Sequence, residues 1–200
     1  MIEIGLFILP DKKLAKEVLK WKKLFEIEFG NQLYLSHLPH ITLGNFLVSN
    51  QEIFIKKIQD ICENFEEDLN IEINDVGEFK EASSENATPH FIVKKSNNLI
   101  KFQENLIYKT SHITKSKFEN NFINPIYKRN NRNYGYPYIG NSWIPHLTIC
   151  TLKEACNDNN LKNKFLNLNP NYSFSVNSIY VFEVNNDNHI ELDKININVR

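Results

Sequence analysis

The sequence is poor in several features that would announce a function. No apolar run approaches the roughly 18–20 residues of a membrane-spanning helix. Cysteine occurs three times (Cys62, Cys150 and Cys156), an odd number without a CxxC pair. That excludes a disulfide framework and a thiolate zinc site, and makes a reducing cytoplasm the default compartment. Net charge is scarce as well: 23 basic and 24 acidic residues leave −1. There is no whole-protein basic field to hold long nucleic acid stably. Arginine is rarest among the charged residues, with 3 against 20 lysines. Asparagine is the excess, 30 in all and 21 of them after residue 100. That Asn/Ile/Lys bias reads as an AT-rich genome rather than as chemistry, and it makes each arginine worth locating. The first nine residues, Met1 to Leu9, are apolar without a basic lead and read as a buried strand, not a signal peptide.

Hydrophobic periodicity organises the 200 residues as one domain, 1–200. Ile2 to Leu9 reads as a strand. Pro10-Asp11 opens a helix whose Leu14, Val18, Trp21 and Phe25 share a face at a period near 3.6. Pro39 to Val48 is strand-like. Ser49-Asn-Gln-Glu52 forms a capping box before a helix with Phe54, Ile58, Ile61 and Phe65 inward. Leu69 to Lys80 alternates as a half-buried strand, and Phe91 to Lys95 is a short one. Asn97 or Asn98 caps a helix bearing Leu99, Phe102, Leu106 and Ile107. Residues 112–143 lack periodicity. Ile144 to Leu152 returns to strand, Lys153 to Leu168 is an asparagine-weakened helix, and Tyr172 to Val184 and His189 to Ile197 are strands around the turn 185–188. The order β-α-β-α-β, β-α-loop-β-α-β-β predicts an α+β (mixed α/β) fold with two similar halves.

Six histidines and six threonines placed at random over this length would give about 0.2 His-x-Thr triplets. Three occur: His40-Ile-Thr42, His112-Ile-Thr114 and His146-Leu-Thr148. His40 and His146 each follow a proline and lie in apolar runs, Pro39-His-Ile-Thr-Leu43 and Pro145-His-Leu-Thr-Ile149. In a strand, residues two apart face the same way. Each His therefore projects with its Thr, over an apolar pair turned to the core. His112 follows a helix and has Lys115 after its Thr, so it reads as the accidental copy.

Two imidazoles across a cleft can act as general base and general acid in one displacement, because both titrate near neutrality. Threonine hydroxyls between them can donate to the charge that develops. Phosphoryl transfer fits this set. The surroundings favour an anionic substrate: no Asp or Glu lies between Glu28 and Glu52, or between Glu119 and Glu154. The same scarcity of carboxylates gives no ligand set for Mg²⁺ or Ca²⁺, and no third ligand for zinc is evident.

The paired His-x-Thr-x motifs, each with an apolar last position, resemble the signature of the 2H phosphoesterase superfamily. That superfamily holds the 2′-5′ RNA ligase-like proteins and cyclic phosphodiesterases. The resemblance implies a bilobal fold, with two pseudo-symmetric lobes of antiparallel sheets around a central cleft. It also implies hydrolysis without metal or other cofactor, on 2′,3′-cyclic phosphates or 2′-5′ linkages. The sequence departs from the compact members in the separation of its motifs, 106 residues from His40 to His146. Residues 113–143 are the place for an insertion or lid loop.

Two of the three arginines, Arg129 and Arg132, lie in that stretch beside Lys128, with Tyr127, Tyr134, Tyr136, Tyr138 and Trp143. Cations hold phosphate and aromatic faces stack bases. Gly135 and Gly140 would let a lid bend. Arg129, Arg132, Tyr134, Tyr136 and Trp143 are thus the candidate substrate-binding residues, beside His40, Thr42, His146 and Thr148 as the catalytic set. His90 follows a proline but lacks the Thr, and reads as structural. His37 sits at the rim. Cys150 belongs either to the cleft floor or to the core. The expected protein is a monomeric, cytoplasmic, metal-independent phosphodiesterase acting on a small nucleotide or RNA end. A ligase working in reverse, and a nucleotide- or RNA-binding module with little catalysis, are the alternatives.

Overall fold

In a computed structural model, residues 1–80, 86–153, 159–185 and 188–198 are described. Strand β1 (Ile2–Ile8) leads into helix α1 (Lys12–Phe29), whose first turn is capped by the Asp11 carboxylate accepting from the Leu14 amide. Strand β2 (Ile41–Val48) returns antiparallel to β1. Helix α2 (Gln51–Glu63) follows, capped by Asn50 and not, as expected, by Ser49. The Asn50 side chain accepts from Ile53, which sets the helix start one residue later.

The predicted strand 69–80 is two strands, β3 (Asn70–Ile73) and β4 (Asp75–Lys80), with different partners. Strand β5 (Ala87–Ile92) begins the second half. Helix α3 (Asn97–Thr110) is capped by Ser96, one residue ahead of the predicted Asn97 or Asn98. Residues 112–143, predicted to be irregular, contain strand β6 (Thr114–Lys115), helix α4 (Pro125–Tyr134) and a 3₁₀ turn at Gly140–Ser142. Helix α4 hides from periodicity because its inward residues are Asn130 and Asn131. Its signals are punctuation: Asn124 caps it, Pro125 starts it, and Gly135 ends it in the left-handed conformation at φ 71°.

Strand β7 (His146–Thr148) is shorter than predicted, and helix α5 (Asn160–Leu166) occupies only the end of the predicted 153–168 helix. Residues 154–158 of that helix, and 186–187 of the predicted turn, lie outside the described residues. Strands β8 (Tyr172–Ser175), β9 (Ser178–Asn185) and β10 (Asn188–Asn196) complete the chain.

The sheets are antiparallel and repeat one plan. The first has the order β10-β9-β1-β2-β6, the second β4-β5-β7, and β3 pairs β8. The triples β9-β1-β2 and β4-β5-β7 correspond: each has its motif strand beside the strand that opened that half. The outer strand of each triple comes from the other half, β9 into the first and β4 into the second. The two halves are therefore woven together, and one apolar cluster runs through both. Leu14, Val18, Trp21 and Phe25 of α1 are buried as the period predicted. Trp21 and Phe25 meet Phe165 of α5 at 5.2 and 6.0 Å, and Phe165 meets Phe91 of β5 at 5.3 Å. Each such buried side chain contributes about 1.5–3 kcal/mol.

Candidate active site

The cleft between the two sheets has a volume of about 790 Å³ and is lined by residues of both halves. His40, immediately before β2, and Thr42 on it enter the cleft from one side, and His146 and Thr148 of β7 from the other. The strand alternation predicted this: Ile41, Leu43, Leu147 and Ile149 are fully buried on the opposite side. The four residues of the predicted catalytic set thus share one cleft. His112 lies outside it, exposed after α3, and Thr114 donates to the Thr110 carbonyl. Cys150 is buried in the core.

Both imidazoles are held alike. His40 Nδ1 lies 2.8 Å from the Leu38 carbonyl, and His146 Nδ1 2.7 Å from that of Ile144. A carbonyl only accepts, so Nδ1 carries the hydrogen in each ring and Nε2 is left with its lone pair. The intervening Pro39 and Pro145 fix the backbone angle that turns the carbonyl back towards the ring two residues on. Burial pushes His40 down from 6.5 to about 3 and His146 to about 4, against the opposing pull of those carbonyls; neighbouring His189, His37 and Lys22 add to the depression at His40, and His90 at His146. Both rings are neutral at pH 7 in the free protein.

Each imidazole has an aromatic neighbour and a second histidine. His40 stacks on Phe7 at 4.1 Å, with His189 of β10 at 5.4 Å. His146 meets Phe79 of β4 edge-on at 4.9 Å and His90 of β5 at 5.1 Å. Phe7 pairs with Thr42 across the ladder, and His90 with Thr148. His90 thus holds in the second half the place of Phe7 in the first. It is buried, stacks on Phe79 at 4.0 Å and repeats the clasp, Nδ1 to the Thr88 carbonyl at 2.9 Å. The third proline–histidine pair, Pro89-His90, was its sequence signal; His189 had none.

Phe7 can lie over β1 because residue 5 is glycine. A Cβ at Gly5 would sit 2.3 Å from the Phe7 Cζ. Opposite, the segment after α1 is tied down by Lys22, a buried lysine whose Nζ donates to the carbonyls of Tyr34 and of His37, the latter at 2.9 Å. Tyr34 there adopts φ 68°. His37 lines the cleft, as its predicted rim position implies.

The segment 113–143 forms a wall of the cleft. Phe118, Tyr127, Tyr136, Tyr138 and Trp143 line it. Their rings pack in series, Phe118 against Tyr136 and Tyr138 at 6.0 Å each, and Tyr127 against Tyr138 at 5.1 Å. Trp143 Nε1 donates to the Thr42 carbonyl at 3.0 Å. Buried Gln103 of α3 pins the wall. Its Nε2 donates to the Leu43 and Tyr138 carbonyls, and its Oε1 accepts from the Gly140 amide at 3.0 Å. Gly135 and Gly140 thus serve a helix end and a close approach to α3 rather than a free hinge.

Of the predicted substrate-binding set, Tyr136 and Trp143 border the cleft, but both are core residues, 4% and 3% exposed, that show it little more than an edge. Arg129, Arg132 and Tyr134 are not among its lining residues. Asn130 and Asn131 take the inward face of α4, Asn130 Nδ2 donating to the Pro137 carbonyl at 3.1 Å, so Arg129 and Arg132 face solvent. Tyr134 packs on Tyr108 of α3 at 4.7 Å. Two lysines line the cleft, Lys22 and Lys117, the latter ion-paired with Glu3. Among the described residues no cluster of His, Cys, Asp and Glu could hold a metal ion, and no helix is long and apolar enough to cross a membrane.

A sequence profile of the 2′-5′ RNA ligase superfamily matches residues 10–188. The chain belongs to this superfamily. Its fold agrees: TT0787 of Thermus thermophilus superposes with TM-score 0.64 at 12% identity over 100% of both chains. A phosphoesterase gives 0.62 at 14% over 100% of this chain and 99% of that one. E. coli LigT complexed with ATP gives 0.59 at 13% over 100% and 99%. No curated protein sequence matches the chain. Membership of the 2′-5′ RNA ligase superfamily accounts for the mixed α+β architecture and its antiparallel sheets, and places the two His-x-Thr pairs in a phosphoesterase fold.

Proposed function

We propose that the protein is a metal-independent phosphodiesterase acting on a small RNA-derived or cyclic nucleotide, with a 2′,3′-cyclic phosphate or a 2′-5′ linkage at the reacting centre. The observation that carries this reading is the pair of identically clasped imidazoles, His40 and His146, in one cleft with Thr42 and Thr148 beside them. One ring takes a proton on Nε2 from the attacking water or hydroxyl. The new P–O bond forms as the opposite P–O bond breaks, and the other ring, which must enter the step as the imidazolium, gives its Nε2 proton to the leaving oxygen. The threonine hydroxyls donate to the non-bridging oxygens, where charge builds. The half-buried rings of Phe118, Tyr127 and Tyr138 face the nucleoside, with Tyr136 and Trp143 behind them. E. coli LigT has been crystallised with ATP, NADP⁺, phosphate and 3′-AMP, small phosphate-bearing ligands of the size this cleft takes. We place the protein in the cytoplasm, in keeping with the buried free thiol of Cys62, and read it as a monomer.

The family's name gives a second reading, ligation of RNA ends by the same chemistry run in reverse. A panel of 2′,3′-cyclic nucleotide, cyclic-phosphate RNA end, 2′-5′ oligoadenylate and cyclic dinucleotide separates them. Wild type should turn over at least one in the presence of EDTA. His40→Ala and His146→Ala should each lower that rate by about 10²–10⁴-fold, the contribution of an acid or base. Joining of ends without hydrolysis would favour the ligase. Binding without any turnover would leave a nucleotide-binding module, and loss of activity with chelator would sink the metal-free mechanism.

A further inference from the structure

Several polar side chains of the cleft take no part in the acid–base chemistry, and Asn45 among them owes its place there to a shift of strand register. Asn45 lies on β2, three residues beyond Thr42, a spacing that in a regular strand would turn it to the core. A bulge restores it. The register shifts between Leu6 and Phe7, so that Leu6 pairs with Gly44 and Phe7 with Thr42, leaving Leu43 unpaired. Asn45 therefore faces the cleft with His40 and Thr42, opposite Gly5, which offers no side chain. Its Oδ1 is buried and has no hydrogen-bond partner. A buried polar atom left in that condition is uncommon enough to need an explanation.

The surroundings supply one. Phe118 and Tyr138, both half-buried, line the same cleft, backed by the buried rings of Tyr136 and Trp143, the latter fixed in place by its bond to the Thr42 carbonyl. The strand rise places Asn45 roughly 7–10 Å beyond Thr42, about the length of one nucleoside from the phosphate position. Flat aromatic surfaces with a carboxamide among them suit a nucleobase, whose faces stack and whose edge carries adjacent donors and acceptors.

We infer that Asn45 is the base-reading residue of the cleft, and that it selects an adenine nucleotide. The amide accepts on Oδ1 from the exocyclic amine and donates from Nδ2 to the neighbouring ring nitrogen, the bidentate pairing that an Asn side chain makes with adenine. The inference rests on the nucleotide reading of the cleft and adds the base to it.

The test measures kcat/KM for the four 2′,3′-cyclic nucleotides with wild type, Asn45→Ala and Asn45→Asp, after thermal melting has established that the variants fold. Affinities for the four nucleoside 3′-monophosphates are measured by calorimetry in parallel. Wild type should prefer adenine. Asn45→Ala should lower the adenine value about tenfold or more and flatten the preference, the loss expected of one bidentate base contact. Asn45→Asp, which only accepts, should turn the preference towards guanine, whose N1–H and N2–H₂ are adjacent donors. Base ratios that stay the same in all three proteins, or a wild-type preference for uracil, would overturn the inference. Failure of the phosphodiesterase reading looks different: wild type would turn over none of the four, and the base ratios would then be decided by the binding measurements.

Discussion

Gly5 bears on the placement of His40 without touching it, through the Phe7 ring that lies over one and stacks on the other. Gly5→Ala would put a methyl carbon 2.3 Å from Cζ and 2.7 Å from Cε1 of Phe7. Carbon atoms pack at about 3.5–4.0 Å, so the ring must swing by more than an ångström. Overpacking of this kind costs about 1–3 kcal/mol. Replacing glycine inside a strand returns about 0.5–1 kcal/mol of backbone entropy, which leaves a net loss near 1–2 kcal/mol. In a domain of this size that lowers Tm by about 2–8 °C. His40 stacks on the same ring, so kcat should fall, by about 10²-fold if the imidazole moves an ångström, while KM changes little. A double-mutant cycle with Phe7→Leu isolates the cause, because leucine does not reach over residue 5. Phe7→Leu alone removes the stack. Added to it, Gly5→Ala should stabilise by about 0.5–1 kcal/mol, an interaction energy equal to the overpacking removed, about 1–3 kcal/mol, by denaturant melts. Strictly additive costs, or a Gly5→Ala enzyme with unchanged kcat, would refute the reasoning.

Three further expectations follow from the site. His40 and His146 are depressed to about 3 and 4, so above that range the free protein progressively loses the protonated ring that the acid step needs. The pH profile of kcat/KM should fall on its alkaline side well below pH 7, and a limb that rises through pH 7 would contradict the assignment. The same depression means that the unfolded chain binds more protons than the folded one between about 3 and 6.5, so stability is fully present above 6.5 and should decline towards pH 4 in chemical melts. Arg129 and Arg132 face solvent on α4, and Arg129→Ala and Arg132→Ala should each leave KM within about twofold, as surface changes away from a site do. A marked rise in KM would bring α4 into the binding surface.

What local pattern could reveal was set by the period of the strand. His40 with Thr42 and His146 with Thr148 are two apart, so any strand must present each pair together. The prolines before them turn out to hold the ring clasp as well. The same period misplaces Asn45, because the bulge at Leu43 changes parity through strand pairing that only the folded sheet establishes. Lys22 reads as one more solvated lysine of α1, since its burial depends on the carbonyls of a segment more than ten residues away. Arg129 and Arg132 drew attention as scarce cations, but α4 buries Asn130 and Asn131 through side-chain bonds to backbone carbonyls that no hydrophobic scale registers.

The long separation of the two motifs has its explanation in the internal repeat. In the first half, the path from the end of α1 to β2 runs from residue 30 to 40; in the second, the path from α3 to β7 runs from 111 to 145. These segments fill the same topological slot, between a helix and a motif strand, and both line the cleft. The short one brings Tyr34 and His37, the long one Phe118, Tyr127, Tyr136, Tyr138 and Trp143. The extra length therefore falls where it can reshape the binding surface without moving either imidazole, since each ring is fixed by its own strand and its own proline-bent carbonyl. Chemistry carried on strands and recognition carried on the segments that lead into them can change independently. On the proposed function, that division leaves the choice of base and linkage to residues that the two motifs do not contain.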